Sequence, residues 1–548
     1  MEFTSDLLSM PVNASSLTAY SIGHAHLDIA WLWPIREMIR KGGRTFSTAL
    51  RMLGKYPEYK FGASQPQLYE WIKLHYPNLF EEVKTAVKEK KWELQGAMWV
   101  EPDMNLTSGE SLVRHCMYGK RFYKEEFGVE VNDLWLPDVF GYSAALPQIL
   151  KKCGIDFFMT QKISWNETNT FPHHTFYWEG IDGTQILTHF LPTNDYNLGN
   201  TPKELIESEQ RYAQSDISDE FLNLYGIGDG GGGPSAHHIE VGRRQQNLEG
   251  CPRFKFAFAQ EFFRKIAEIP SEKLPVWTGE SYLELHRGTY TTQALMKKNN
   301  RSLEQKLHNI EFLGALTDDF KQSELTNIWK NTLLNQFHDI LPGSSINWVY
   351  KDANKMSRQN LKKLEILQEQ LLSKLHCEKS NSSSKFIVYN SQPWKRTELI
   401  HLPATDGNYR VGDGISSSII LAENGTLDFP LSLPSCGYSC LLIEQTQQDI
   451  PKQMNQIKAS KTILENSLIK VKFAKDGTII SIFDRQEKRE VLSGKANELI
   501  LWEDEPNNWG AWDVNHFYRE TTPEKAKLIS AAIIRHSVHS AVLEQIFR

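Results

Sequence analysis

Two rhythms of apolar and polar residues run along the chain. From residue 17 to about 280, short apolar runs alternate with polar loops and with segments whose apolar residues recur at helical spacing. The first run, Thr18-Ala19-Tyr20-Ser21-Ile22, is β-prone. Further strands are predicted at 59–65, 92–99, 133–138, 154–160, 185–190, 221–227 and 254–257, with helices at 45–56, 68–90, 109–127 and 144–153. This alternation predicts an α/β fold, a mostly parallel (β/α) barrel-like domain over 1–280. From about 285 to 378 the strand signal fades, and helical spacing at 302–316, 325–337 and 355–375 predicts a small helical bundle domain, assigned to 281–378. The polar run 379–385 reads as a linker. Beyond it come short alternating runs with turn signals, such as 468–473, then Asp476-Gly477, then 479–483. They predict a β-sandwich domain over 386–548. The sequence stops at Arg548 inside the strand-like run 541–547, so this domain is expected to be truncated at its C-terminus.

Composition narrows the class. The chain has 548 residues, 40% hydrophobic and 23% charged, as in ordinary globular proteins. A net charge of −6, well mixed and without a basic block, argues against nucleic acid as a partner. The six cysteines form no zinc-finger or disulfide framework. Residues 1–16 lack the apolar core of a signal peptide, and no apolar run reaches transmembrane length. The expectation is a cytoplasmic enzyme without a membrane partner, and the sequence is compatible with a homo-oligomer. Fifteen tryptophans among many aromatics suit carbohydrate stacking, though large cores use them as well.

Candidate chemistry collects at the predicted strand ends, where parallel α/β folds place their sites. Past the first strand stands Gly23-His24-Ala25-His26-Leu27-Asp28. Alternate residues of an extended chain face one side, so His26 and Asp28 can converge, and imidazole with carboxylate is a zinc-type donor set. Taken alone, such a run reads as a solvated strand end. Further polar residues at strand ends are Gln65, Glu101, Asp103, Asp138, Lys162, Asn194, Asp195 and Asp229, and their number argues for a shared pocket. The glycines after Asp229 lack the following Gly-Lys-Ser/Thr of a phosphate loop, which excludes that reading of nucleotide binding; they would let backbone approach a ligand.

Four segments occur in order: Gly23 to Asp28, Leu136-Pro137-Asp138-Val139-Phe140-Gly141, Gly228-Asp229 with its glycine run and Pro234, and Phe337-His338-Asp339-Ile340-Leu341-Pro342-Gly343-Ser344. Together they resemble the class II α-mannosidases, glycoside hydrolase family 38. Supporting stretches are 96–105, 279–288 and the region from Trp502 to Trp512. The form His-Leu-Asp-x-Ala-Trp-Leu-Trp is similar to the cytosolic, vacuolar and bacterial branch. The resemblance implies one zinc ion held by His26, Asp28, Asp138 and His338, with His24 in a supporting role. It implies Asp138 as nucleophile of a retaining reaction, in which a second carboxyl group acts as acid and then base. Asp229 is assigned that second role, with Glu101, Asp103, Glu280 and Glu284 as rivals. Trp31 and Phe140 match walls of the sugar subsite, Asp339 a hydroxyl partner, and Lys162 a pocket base where the secretory branch carries arginine.

The implied activity is release of terminal α-linked mannose from mannose-containing oligosaccharides. Alternatives are mannosylglycerate hydrolysis within the same family and a metal-dependent amide hydrolase. The latter needs further histidines at later strand ends, where this chain offers Asp138 and Asp229. A non-catalytic glycan binder is the third class.

Overall fold

Strand β1 (Thr18–His24) is buried on both faces along nearly its whole length, which requires cover on both sides and neighbours at both edges. The structure, a computed structural model, describes residues 15–375, 384–412, 416–423, 425–448 and 457–548. The segment before residue 15, Cys377 and residues 379–383 of the expected linker lie outside the described residues. On one edge β1 pairs in parallel with β8 (Glu220–Tyr225). On the other it pairs with β9 (Arg253–Phe256) through Thr18–Ser21 and with β2 (Phe61–Ala63) through Gly23 and His24. Strand β3 (Trp92–Leu94) continues the sheet beyond β2.

A second sheet holds β4 (Asp133–Leu136), β5 (Phe157–Thr160) and β7 (Gln185–Phe190) in parallel. Strand β6 (Thr175–Glu179) lies antiparallel on β7, and β10 (Val276–Thr278) is parallel to β6. The two sheets approach where Ala97 N–H donates to Asp133 O (3.0 Å) and where Leu222 N–H donates to His189 Nε2 (3.3 Å). Strands β8, β1, β2, β3, β4, β5 and β7 therefore run round a parallel, barrel-like ring with two open seams. One apolar cluster, including Ile22, Trp135, Met159, Leu187, Leu222, Leu224 and Phe262, joins both sheets.

Several helices differ from the periodicity reading. The helix expected from residue 45 starts at Ile35 and runs to Lys55. Gly42 and Gly43 masked its first half; they are buried, and a Cβ on Gly43 would meet the Tyr76 ring at 2.9 Å. The segment 68–90 is two helices, Pro66–His75 and Pro77–Lys88, because Pro77 has no N–H to give and keeps Tyr76 out of helical geometry. Helices Pro202–Arg211, Ala236–Arg244 and Ala259–Ile266, with β6 and β10, were not anticipated.

The middle of the chain is helical (Ala294–Thr317, Gln322–Asn335, Asn347–Lys374), and the C-terminal part is built of antiparallel sheets. The largest has six strands between residues 384 and 445 around Val411, Leu427, Phe429, Leu441 and Ile443. Contacts divide the chain into two compact units. One takes residues up to Leu307 with Lys321–Glu365 and Pro506–Val514; the other takes His308–Phe320, Ile366–Glu505 and Asn515–Arg548. Among the described residues no helix is long and apolar enough to cross a membrane.

Candidate active site

The first unit brings Asp28, Asp138, Lys162 and Asp229 of the polar strand-end residues to one pocket, whereas Gln65, Glu101 and Asp103 are buried away from its lining and Asn194 and Asp195 are exposed. Past β1 the chain is pinned: Leu27 bridges to Gly230, Asp28 N–H donates to Asp229 O (3.0 Å), and Gln65 Nε2 donates to Leu27 O (2.8 Å). This ties the first motif to the Asp229 segment. His338 follows the helix Gln322–Asn335; its N–H donates to Glu101 O (3.2 Å) and Phe337 bridges to Pro102.

His26, Asp28, Asp138 and His338 each offer one ligand-type atom, all within 4.8 Å of one another. His26 Nε2 is 2.9 Å from Asp28 Oδ1 and 3.8 Å from Asp138 Oδ2, and His338 Nε2 is 3.4 Å from Asp28 Oδ1. The outer nitrogens are engaged elsewhere. His338 Nδ1 donates to Glu101 O (2.9 Å), and His26 Nδ1 is in ion-pair contact with Glu101 Oε2 (2.9 Å). Glu101 Oε1 in turn accepts from Ser64 Oγ (2.6 Å). Both histidines thus turn Nε2 inward with Nδ1 held behind, the arrangement that metal-binding imidazoles adopt. His338 Nε2 is fully buried without a hydrogen bond. Two imidazoles and two carboxylates from three distant segments, three of them buried and Asp138 partly exposed, form a nitrogen–oxygen set that fits a divalent first-row cation.

The buried charges of the cluster perturb one another. Burial disfavours the His26 imidazolium, yet Glu101 and Asp28 hold its pKa well above the usual value. Burial pushes Asp339 up to about 7, with Asp28 adding to it. Asp138 would also rise on burial, but the Lys162 ammonium, then His26 and His338, bring it down to about 2. Lys162 Nζ stands 2.5 Å from Asp138 Oδ1, 3.5 Å from the Trp165 ring centroid and 5.4 Å from that of Phe140. Asp229 is displaced upward, chiefly by burial. It accepts from Tyr196 OH (3.2 Å) and Asn197 Nδ2 (3.3 Å).

The pocket over this cluster is lined by Asp28, Trp31, Asp138, Phe140, Lys162, Trp165, Tyr196, Asp229, His286, Asp339, Trp509 and Trp512. Every catalytic and sugar-contacting residue expected from sequence borders it. Trp165, Tyr196, His286, Trp509 and Trp512 were not singled out. The rivals to Asp229 do not border it. Glu101 lies behind His26, Asp103 accepts from the Asn105 and Leu106 N–H groups, Glu284 is tied to Asn169, and Glu280 is exposed. His24 sits off the cluster, 3.4 Å from Gly62 O and edge-on to Trp135.

The glycine run departs from expectation. It packs against the helix Ile35–Lys55: Gly232 N–H donates to Thr45 Oγ1 (3.0 Å), Arg44 donates to Gly230 O and Gly231 O, and a Cβ on Gly231 (φ +79°) would lie 2.4 Å from Thr45 Oγ1. The missing side chains admit the protein's own helix.

Family comparisons agree along the chain. The glycosyl hydrolases family 38 N-terminal domain matches residues 16–280, the alpha mannosidase middle domain 284–375, and the family 38 C-terminal domain 464–547. The chain is similar to Alpha-mannosidase 2C1 of Homo sapiens, 36% identical over 519 residues, covering 92% of this chain and 48% of the relative. It is also similar to an alpha-mannosidase of Saccharomyces cerevisiae, 34% identical, covering 93% of this chain and 46% of the relative. The chain therefore spans about half the length of these curated relatives. In fold it is similar to the crystal structure of an alpha-mannosidase from Enterococcus faecalis V583, with TM-score 0.75 and 18% identity, covering 95% of this chain and 66% of that one. With three successive family domains matched in order over a nitrogen–oxygen cluster and a carboxylate-lined pocket, the chain belongs to glycosyl hydrolase family 38.

Proposed function

We propose that this chain carries the catalytic site of a zinc-dependent, retaining α-mannosidase that releases terminal α-linked mannose from glycans. The observation that carries the reading is the convergence of His26, Asp28, Asp138 and His338 beneath a pocket walled by aromatics, in a chain similar to proteins named alpha-mannosidase. His26, Asp28, Asp138 and His338 would hold the ion. When bound, zinc supplies a Lewis-acidic grip on neighbouring sugar hydroxyls.

The remaining chemistry belongs to side chains of this chain. Trp31 and Phe140 wall the ring, and Asp339 accepts from sugar hydroxyls. Lys162 keeps the Asp138 carboxylate ionised, as a nucleophile must be. Asp138 attacks the anomeric carbon while Asp229, protonated, gives its proton to the departing glycosidic oxygen. Asp229 then takes a proton from water as that water attacks the anomeric carbon and frees Asp138. Two inversions leave the anomeric configuration unchanged. The buried thiols of Cys116 and Cys251 suit a reducing compartment, and we place the enzyme in the cytoplasm.

The test is hydrolysis of p-nitrophenyl α-mannoside with and without chelation, zinc restoration and Asp138→Asn, with mannosylglycerate as a second substrate. Chelator-sensitive turnover that zinc restores and Asp138→Asn abolishes is the expected result. Turnover of mannosylglycerate alone would reassign the substrate, and chelator-insensitive turnover would remove the metal from the reaction.

A further inference from the structure

His286 is a polar wall residue of the pocket to which the proposed reaction assigns no task. His286, 2% exposed, borders the pocket from the loop after β10 and holds a left-handed backbone (φ 68°). Asp513 secures it twice: its Oδ1 accepts the His286 backbone N–H and stands 3.3 Å from His286 Nδ1. Asp513 belongs to the Pro506–Val514 segment, in the same compact unit as the pocket. The two loops are closely packed there, since a Cβ on Gly288 would lie 2.8 Å from Trp512 O. The imidazole is boxed by Phe140, Trp165, Trp509 and Trp512, with ring centroids 5.1–6.3 Å away.

A carboxylate against Nδ1 draws the ring proton to that nitrogen, so a neutral imidazole keeps a lone pair at Nε2. Burial favours the neutral ring. With Nδ1 engaged, Nε2 is the polar atom that His286 has left for the pocket it borders. Phe140 packs against both His286 (5.1 Å) and His338 (5.7 Å), and His286 is not one of the four residues of the cluster. A hexose gripped at the cluster by two adjacent hydroxyls has other hydroxyls to be recognised elsewhere.

We propose that His286 is a substrate-binding residue whose Nε2 accepts a hydrogen bond from the 4- or the 6-hydroxyl of the mannose ring, and that Asp513 is the positioning residue that fixes its tautomer and aim. The inference rests on the mannosidase reading and adds a specificity determinant to it. The site then selects for a ring hydroxyl other than those gripped at the cluster, and a sugar lacking it loses the contact that this imidazole supplies.

The experiment is a cycle of enzyme variants against substrate analogues. Wild type, His286→Ala, His286→Gln and Asp513→Asn are assayed on the p-nitrophenyl α-mannosides of mannose, 4-deoxymannose and 6-deoxymannose, with zinc content and Tm followed as controls. His286→Ala is expected to lower kcat/KM on mannose about tenfold, the usual scale for one neutral hydrogen bond, and to cost less than about twofold on one deoxy analogue. His286→Gln, which keeps an acceptor, should recover part of the loss, and Asp513→Asn should show the same analogue selectivity. An equal loss on all three substrates, or none on any, overturns the proposal while mannosidase activity in the wild type stands. If the wild type turns over none of the three, tryptophan-fluorescence titration with mannose and its 4- and 6-deoxy forms reads the same cycle as affinity. A wild type that neither hydrolyses nor binds them overturns both readings.

Discussion

Glu101→Gln separates the task of holding the metal site from the chemistry above it. The substitution keeps shape: the amide oxygen can face His26 Nδ1 and the amide nitrogen can donate to Ser64 Oγ, reversing the bond at 2.6 Å. What disappears is a buried negative charge 2.9 Å from the imidazole. A carboxylate facing the Nδ1–H of a neutral, metal-bound imidazole orients the ring and makes Nε2 a stronger donor, and the loss of such outer partners typically weakens metal binding ~10–100-fold. The expected result is therefore a zinc Kd raised about 10–100-fold, read by competition with a chromophoric chelator. At saturating zinc, kcat should stay within about threefold of wild type, because Glu101 does not border the pocket. Unchanged zinc affinity would refute the supporting role. Full zinc content with turnover lost more than about 100-fold would make Glu101 a participant in proton transfer.

Asp229→Asn should slow hydrolysis of unactivated mannosides ~100-fold or more, with added azide restoring turnover of the aryl mannoside; full activity would shift the acid role elsewhere. Glu93 is pushed up to about 7 by burial and by Asp133, so the folded state binds its proton more tightly than the unfolded state does. Its contribution is greatest below about pH 4.5 and is lost as pH rises through 7, worth about 1–3 kcal/mol after allowing for the open cavity it borders. Urea unfolding in chelator from pH 5 to 8 should show that decline in wild type and a flatter profile in Glu93→Gln; identical slopes would dismiss it. Gly231→Ala puts a Cβ 2.4 Å from Thr45 Oγ1 at φ +79° and should cost about 2 kcal/mol or more, lowering both Tm and activity through the neighbouring Asp229.

Much of the site could be read from sequence because parallel strands deliver residues to one end. His26, Asp28, Asp138, Lys162 and Asp229 all follow apolar runs, and that local pattern survives without knowledge of partners. The pairing of β1 with β8 could not be read, since nothing in either run records which neighbour it chooses. Tyr196 carries no local signal, because a tyrosine in a loop after a strand looks like core, and only the fold shows its hydroxyl on Asp229. His286 lay in a stretch that resembled the family, but its use depends on Asp513, over two hundred positions later. Trp509 and Trp512 had a faint signal, tryptophans beside Gly510 in a polar loop. The helix Ile35–Lys55 was cut short because Gly42 and Gly43 lower helical propensity, and tertiary packing against Tyr76 overrides that local preference.

The return of Pro506–Val514 to the first unit has a consequence for synthesis. His26, Asp28, Asp138 and His338 are all present in a nascent chain that has passed the middle of the sequence, yet Trp512 and Asp513 have still to leave the ribosome. At ordinary elongation speeds that interval is roughly 10–35 s. During it the four cluster residues can assemble before Trp509 and Trp512 complete the pocket wall around His286. On the zinc reading proposed above, a growing polypeptide would gain its metal before that wall is finished, and the last pieces of the wall arrive only after most of the antiparallel strands have been made.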